Sequence, residues 1–546
     1  MILGKKRVFI ATILFSAIVS SNLASAHTMV VIPDLDQTKS SIIFQIISHG
    51  SPQTSEINAK TTDGKQRICA SLKDPRCSEA EELKVSLIVP TCTAKSTNFD
   101  VCIRGVDVRG RDAKIYPSVH EREVATTKFS KNVDAKIGNA GGVSIWKVKA
   151  GVTSDSSDKI ATKVVLTYSV EIDKVSKKAN PAKLVDFAIS AYPVSYISGN
   201  YEMRSYLVNE DGFEYYGIDP SYTNLDDSSK CEWTEKGICV MKGYFAPDTN
   251  ISISLQMDNK LQGWLASNIL DLKIEEKKLT SSTNLLTVGG RASNPSPVYA
   301  VNNVIDVSKL KELEAAYNRC GGEVSVCGQT FEQFDNKIWE GLLTSDVSSA
   351  QFKVGLADVI SLSLVDVPDQ GTKWNIASMP EAGWRKGVSW SPCVSNSKAL
   401  AGVVSTNASL YQMNPPELVD QKLVSRVAGA HHNSKNELNR VDYQVAMRGD
   451  VFRCLLKKNT NPTSVKATAF SSAGEVMENP AVQMVEQNGW VNFAAKNFSY
   501  STPNVEFVFS TPVVKTVSKT ISCAKGKKIV KVKAVAPKCP KGYKKV

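Results

Sequence analysis

Several stretches of this chain alternate apolar and polar residues with a period of two, and that period most limits what it can fold into. Leu83, Val85, Leu87 and Val89 alternate with Lys84, Ser86 and Ile88, and Ile251, Ile253, Leu255 and Met257 alternate with Ser252, Ser254 and Gln256. Val164, Leu166, Tyr168, Val170 and Ile172 mark one face of a third run, and Val505, Phe507 and Phe509 one face of a fourth. Successive side chains of a strand point to opposite sides, so this spacing gives each strand one face to bury. The chain is therefore read as mainly β, in several antiparallel sandwich-like modules. At 42% hydrophobic and 22% charged residues it is globular rather than disordered.

One region breaks the period. Leu310, Leu313, Ala316 and Tyr317 recur at helical spacing after Ser308, a residue suited to an N-cap, and Gly321-Gly322 can end that helix. Thr330-Phe331-Glu332-Gln333 reads as a capping box opening a second helix with Phe334, Ile338 and Leu342 on one face and Trp339 alongside. A third helix is expected from Ser349 to about Leu364, with Phe352, Leu356 and Val359 on one face. At about 150 residues per unit, the length allows three or four units. The predicted division is an N-terminal β module at 27–200, a second with a Tyr-rich loop at 201–299, a small helical insertion at 300–366, and a C-terminal β module at 367–512. Gly263-Trp264-Leu265 and Gly489-Trp490-Val491 each precede an alternating run, a faint echo between two modules.

The N-terminus reads as a secretory signal. Lys5-Lys6-Arg7 precede an apolar run from Val8 to Val19, and Ala24-Ser25-Ala26 is a small-x-small cleavage site, so residues 1–26 are expected to be removed. The run is shorter than the ~20 residues a membrane span needs, and no transmembrane segment is expected after cleavage. Export agrees with the cysteines. All twelve follow the cleavage site, and spacing pairs them as Cys69–Cys77, Cys92–Cys102, Cys231–Cys239, Cys320–Cys327, Cys393–Cys454 and Cys523–Cys539. No Cys-x-x-Cys occurs, so zinc is not the reading.

Charge is concentrated at the C-terminus. Residues 515–546 hold eleven Lys and no acid. Setting these and the three basic groups of the N-terminus aside from the formal +12 leaves residues 27–514 at −2. Residues 513–546 read as a basic hairpin closed by Cys523 and Cys539, too small to bury a core. Such a unit seeks polyanions, here the anionic polymers of a cell envelope, without reading nucleic-acid sequence.

Within residues 520–546 stand Cys523-Ala524-Lys525-Gly526-Lys527 and, near the end, Pro537-Lys538-Cys539-Pro540-Lys541-Gly542-Tyr543-Lys544-Lys545. This tail resembles a C-terminal cassette of uncharacterised secreted proteins of actinobacteria. The body is similar to one such group at Trp374–Trp384, Arg426–His431, Arg453-Cys454-Leu455, Asn488-Gly489-Trp490 and Asn497-Phe498. The resemblance implies export and life at the cell surface, and it transfers no activity and no functional residue.

No catalytic constellation stands out. Gly-x-Ser-x-Gly is absent, and His120-Glu121-Arg122-Glu123 lacks the spacing of His-Glu-x-x-His. A mature N-terminal His27 would offer two nitrogens to copper, with His49 and His120 the nearest partners, but five His at no ligand spacing do not make a metal site. No catalytic residue, cofactor or metal is assigned. The best ligand-binding stretch runs from Tyr201 to Trp233, where Tyr215, Tyr216, Tyr222 and Trp233 accompany Asp211, Asp219, Asp226 and Asp227. Aromatic faces beside carboxylates suit sugar rings, so carbohydrate is the second partner class. The expected function is a secreted, surface-associated binding or structural protein; the alternative is a polysaccharide-acting enzyme or carbohydrate-binding protein.

Overall fold

The alternating runs become strands, and eleven strands join into one long sheet, here called the spine. The computed structural model describes residues 55–201, 231–293, 374–379 and 391–546, each with short breaks, and the backbone of the strands Ser40–Gln45, Leu207–Val208, Glu214–Tyr215, Val298–Asn302, Glu340–Thr344 and Ser363–Asp366. The spine runs Gln66–Ile68, Glu56–Lys60, Glu82–Ile88, Lys159–Glu171, Lys183–Ser198, Trp374–Met379, Gly263–Ser267, Leu400–Thr406, Arg440–Arg448, Trp490–Ser499, Ala481–Gln487. Neighbours are antiparallel except Gly263–Ser267 beside Leu400–Thr406, which run parallel. Strands from all three predicted β segments enter this sheet, so the sandwich-like units share a layer.

Two covers lie on it. A five-stranded antiparallel sheet, ordered Ile269–Lys278, Thr283–Ala292, Asn250–Asp258, Cys102–Arg109, Ile115–Pro117, packs Ile251, Ile253 and Leu255 with Val85, Leu87, Val164 and Leu166 of the spine. A six-stranded sheet holding Lys422–Ala428, Asn504–Ser510 and Ser464–Phe470 packs Leu423, Val505 and Phe507 with Val445, Val491 and Phe493. The covers sit on opposite faces. In the strand Gly263–Ser267, Leu265 enters the first core, while its neighbours Trp264 and Ala266 enter the second. A strand covered on both faces has no polar side to show, which is why every residue of Leu400–Thr406 is buried.

The spine also forks. The long strand Lys159–Glu171 pairs with Ser144–Lys147 through residues 159–162 and with Glu82–Ile88 through residues 165–171. Its partner Lys183–Ser198 pairs with Trp374–Met379 through residues 188–191 and with Ile238–Lys242 through residues 194–198. One end of this hairpin therefore belongs to the spine and the other to a side sheet that includes Val119–Glu123 and Cys231–Glu235.

Helices are few among the described residues. Pro392–Ser395, capped by Ser391, and Gly449–Leu456, ended by Lys457 in the left-handed region at φ 51°, are tied by the Cys393–Cys454 disulfide. Most of the predicted helical insertion lies outside the described residues. Glu340–Thr344, however, is a strand, although the second predicted helix carries Leu342 on its apolar face, and it pairs in parallel with Ser40–Gln45. Ser363–Asp366, at the end of the third predicted helix, is also a strand. Short apolar runs satisfy either period, and pairing with a distant segment decided these.

Candidate functional site: the cationic tail and the aromatic fork

The tail is a three-stranded sheet, with Lys519–Lys525 between Lys528–Ala534 and Lys544–Lys545. Lys525 pairs with Lys528, so Gly526 and Lys527 form a two-residue turn, and Gly526 at φ 60° takes the first central position, as a type II′ turn needs. Residues directly paired across strands share a face. Ile521, Cys523, Val530 and Val532 occupy one face, beneath the Cys523–Cys539 disulfide. Thr520, Ser522 and Ala524 occupy the other, flanked by Lys533 and Lys531 on one side and Lys544 on the other. Cys523 is the one buried side chain of the tail's described residues, and Lys519, Lys525, Lys527, Lys528, Lys531, Lys533, Lys538, Lys541, Lys544 and Lys545 are all exposed. The unit is thus a cationic surface around a disulfide.

The Tyr-rich stretch fares differently. Tyr215 ends the short strand Glu214–Tyr215, paired with Leu207–Val208, while Tyr216 and Tyr222 lie outside the described residues. Trp233 corrects the expectation of a ligand-stacking ring. It is 1% exposed, packs edge-on to Tyr192 at 6.5 Å between centroids, and donates Nε1–H to Glu235 Oε1 at 3.1 Å. Its ring is a core element of the fork, with Val165, Val194 and Val240. Tyr201 is likewise buried. A Trp on an alternating strand reads the same from sequence whether its face is open or covered.

Around Trp233 the fork gathers cations and rings. Arg122 makes a two-pronged pair with Glu235 at 2.8 and 2.9 Å and lies 5.6 Å from the Tyr196 ring centroid. Lys159 pairs with Glu121 and lies over the same ring. Lys242 sits 4.6 Å over Tyr192. Lys163 is 4% exposed, flanked along its strand by Ala161 and Val165. Burial pushes its pKa down to about 8, with Glu232 opposing the shift and Lys242 adding to it. The sequence signal for this residue was a Lys inside an otherwise apolar strand. Arg122 and Lys159 are thus each held between a carboxylate and the Tyr196 ring. His120, edge-on to Trp146 at 5.2 Å, has its pKa lowered chiefly by burial.

Four disulfides match the spacing-based pairs: Cys92–Cys102, Cys231–Cys239, Cys393–Cys454 and Cys523–Cys539. Cys69 is also disulfide-bonded, while Cys77, Cys320 and Cys327 lie outside the described residues. No helix of the described residues is long and apolar enough to cross a membrane. No protein-family model and no curated protein matches this sequence.

Proposed function

We propose that this is an exported, surface-associated protein that binds or scaffolds rather than catalyses, held to the anionic polymers of the cell envelope by its C-terminal hairpin. The observation that carries this reading is the tail, with eleven Lys and no acid between residues 515 and 546, displayed around a single disulfide. Clustered, outward-facing charge on a small rigid unit is suited to a polymer of opposite charge and unsuited to a shaped small-molecule pocket. The basic, apolar and small-residue segments of residues 1–26 support export, as does the wealth of disulfides, which persist in oxidising compartments. The resemblance of the tail to the actinobacterial cassette supports the same address.

The test compares the chain lacking residues 1–26 with a version ending at Pro512, on isolated cell walls across a salt series. The reading expects binding by the full form, steep weakening with salt, and loss on truncation. Equal, salt-insensitive binding by both forms overturns it.

A further inference from the structure

The five-stranded cover stops short of the edge of the spine. Its outermost strand, Ile269–Lys278, meets the spine at Arg440–Arg448 through Leu272 and Gln444, and beyond it the edge strand Ala481–Gln487 is exposed at six of its seven positions. The step between them is a groove of about 480 Å³, within the ~300–1,000 Å³ range of small-ligand sites.

Its floor is fixed. Gln444 accepts from Leu272 N–H at 3.0 Å and donates to Leu272 C=O at 2.7 Å, so a side-chain amide pins the bulge in Ile269–Lys278. Asp271, in the left-handed region at φ 51°, accepts from Arg291 Nε at 2.7 Å and Lys496 Nζ at 2.5 Å. Its wall is unfinished. Asn492 Oδ1 is buried with no hydrogen-bond partner among the described residues. Its direct neighbour Val485 is 43% exposed, and Gln483 and Gln487 share the face of Val485 on the same edge strand.

We propose that this groove binds a neutral oligosaccharide. Amides both donate and accept, as sugar hydroxyls do, and Asn492, Gln483 and Gln487 converge on one space. An exposed Val beside them gives a sugar's C–H face a place to rest. The charges around the groove balance, Asp271 and Glu275 against Lys273 and Lys496, so no net field selects an ion. The site belongs to the body and is independent of the tail.

The experiment titrates the full chain lacking residues 1–26 with neutral oligomers of glucose, mannose, galactose and N-acetylglucosamine, followed by calorimetry. At least one series binds, about tenfold weaker for Asn492→Leu, the loss expected on removing one hydrogen-bonding group. Gln487→Ala, on the exposed edge strand, weakens the same series without changing the melting temperature, and so keeps the test sound if Asn492→Leu folds poorly. Truncation at Pro512 leaves this binding intact even where wall binding is lost, which separates it from the anchor. Absence of binding by every series, or binding indifferent to both substitutions, overturns the proposal.

Discussion

In the C-terminal sandwich, Phe493 meets Phe507 at 4.9 Å, Phe509 at 5.1 Å and Phe452 at 5.8 Å between ring centroids; in the tail, the one buried side chain among the described residues is Cys523. Both regions are antiparallel sheets with alternating strands, yet they are held differently. The body excludes water from its layered cores, and its disulfides are additions to a structure that burial already specifies. The tail has too little area to bury, so its covalent link takes the place of a core. Alternation alone therefore specifies a strand and leaves open what holds it.

The comparison can be broken from either side. Phe493→Ala should cost the body about 4 kcal/mol by removing the shared partner of three rings, read as a lower denaturant midpoint, while amide exchange in Lys519–Lys525 stays unchanged. Replacing Cys523 and Cys539 together with Ser should remove about 3 kcal/mol of loop-closure stabilisation from the tail and abolish its exchange protection, with the body's melting temperature untouched. A body that melts early in that double variant would show that tail and body fold as one. Lys163→Met sharpens the contrast in charge. Burial lowers the Lys163 pKa from 10.5 to about 8, so the unfolded chain binds the proton more tightly, and native stability rises with pH between about 8 and 10.5. The substitution should add up to about 3 kcal/mol at pH 7 and flatten that rise, measured by denaturation at several pH values. Lys531→Gln with Lys533→Gln should leave stability unchanged, because both are exposed, and weaken wall binding by about 2 kcal/mol if each contributes as a basic residue does at an anionic surface.

Much of the fold could be read in the sequence because burial and strand period are local. The run Leu83, Val85, Leu87, Val89 and the run Ile251, Ile253, Leu255, Met257 meet in one core, and four disulfides follow the spacing of their cysteines. What escaped was long-range. Alternation announces two faces without saying how many are covered, so Trp233 passed for a ligand-stacking ring. The groove was out of reach for the same reason, since Leu272, Gln444 and Asn492 meet only once a covering strand crosses the spine. The echo of Gly-Trp acquires a meaning in the structure. Gly263 and Gly489 both take positive φ, at 83° and 81°, and each Trp stands within the first two residues of a spine strand followed by a covering strand. The two indoles lie in different cores, Trp264 in the second and Trp490 in the first. Gly402 shows how tightly this is built, because a Cβ there would stand 2.3 Å from the Trp264 ring.

The order of strands in the spine also sets a schedule. Gly263–Ser267 is hydrogen-bonded between Trp374–Met379 and Leu400–Thr406, strands that lie over a hundred residues later in the chain. Until those residues arrive, the strand Lys183–Ser198 presents an unpaired edge at residues 188–191, and the first core lacks Trp374, Ile376 and Val403. Assembly of the middle is therefore slow and late, gated by closure of very long loops, and any product that stops short of Thr406 carries raw sheet edges that invite other chains to add to them.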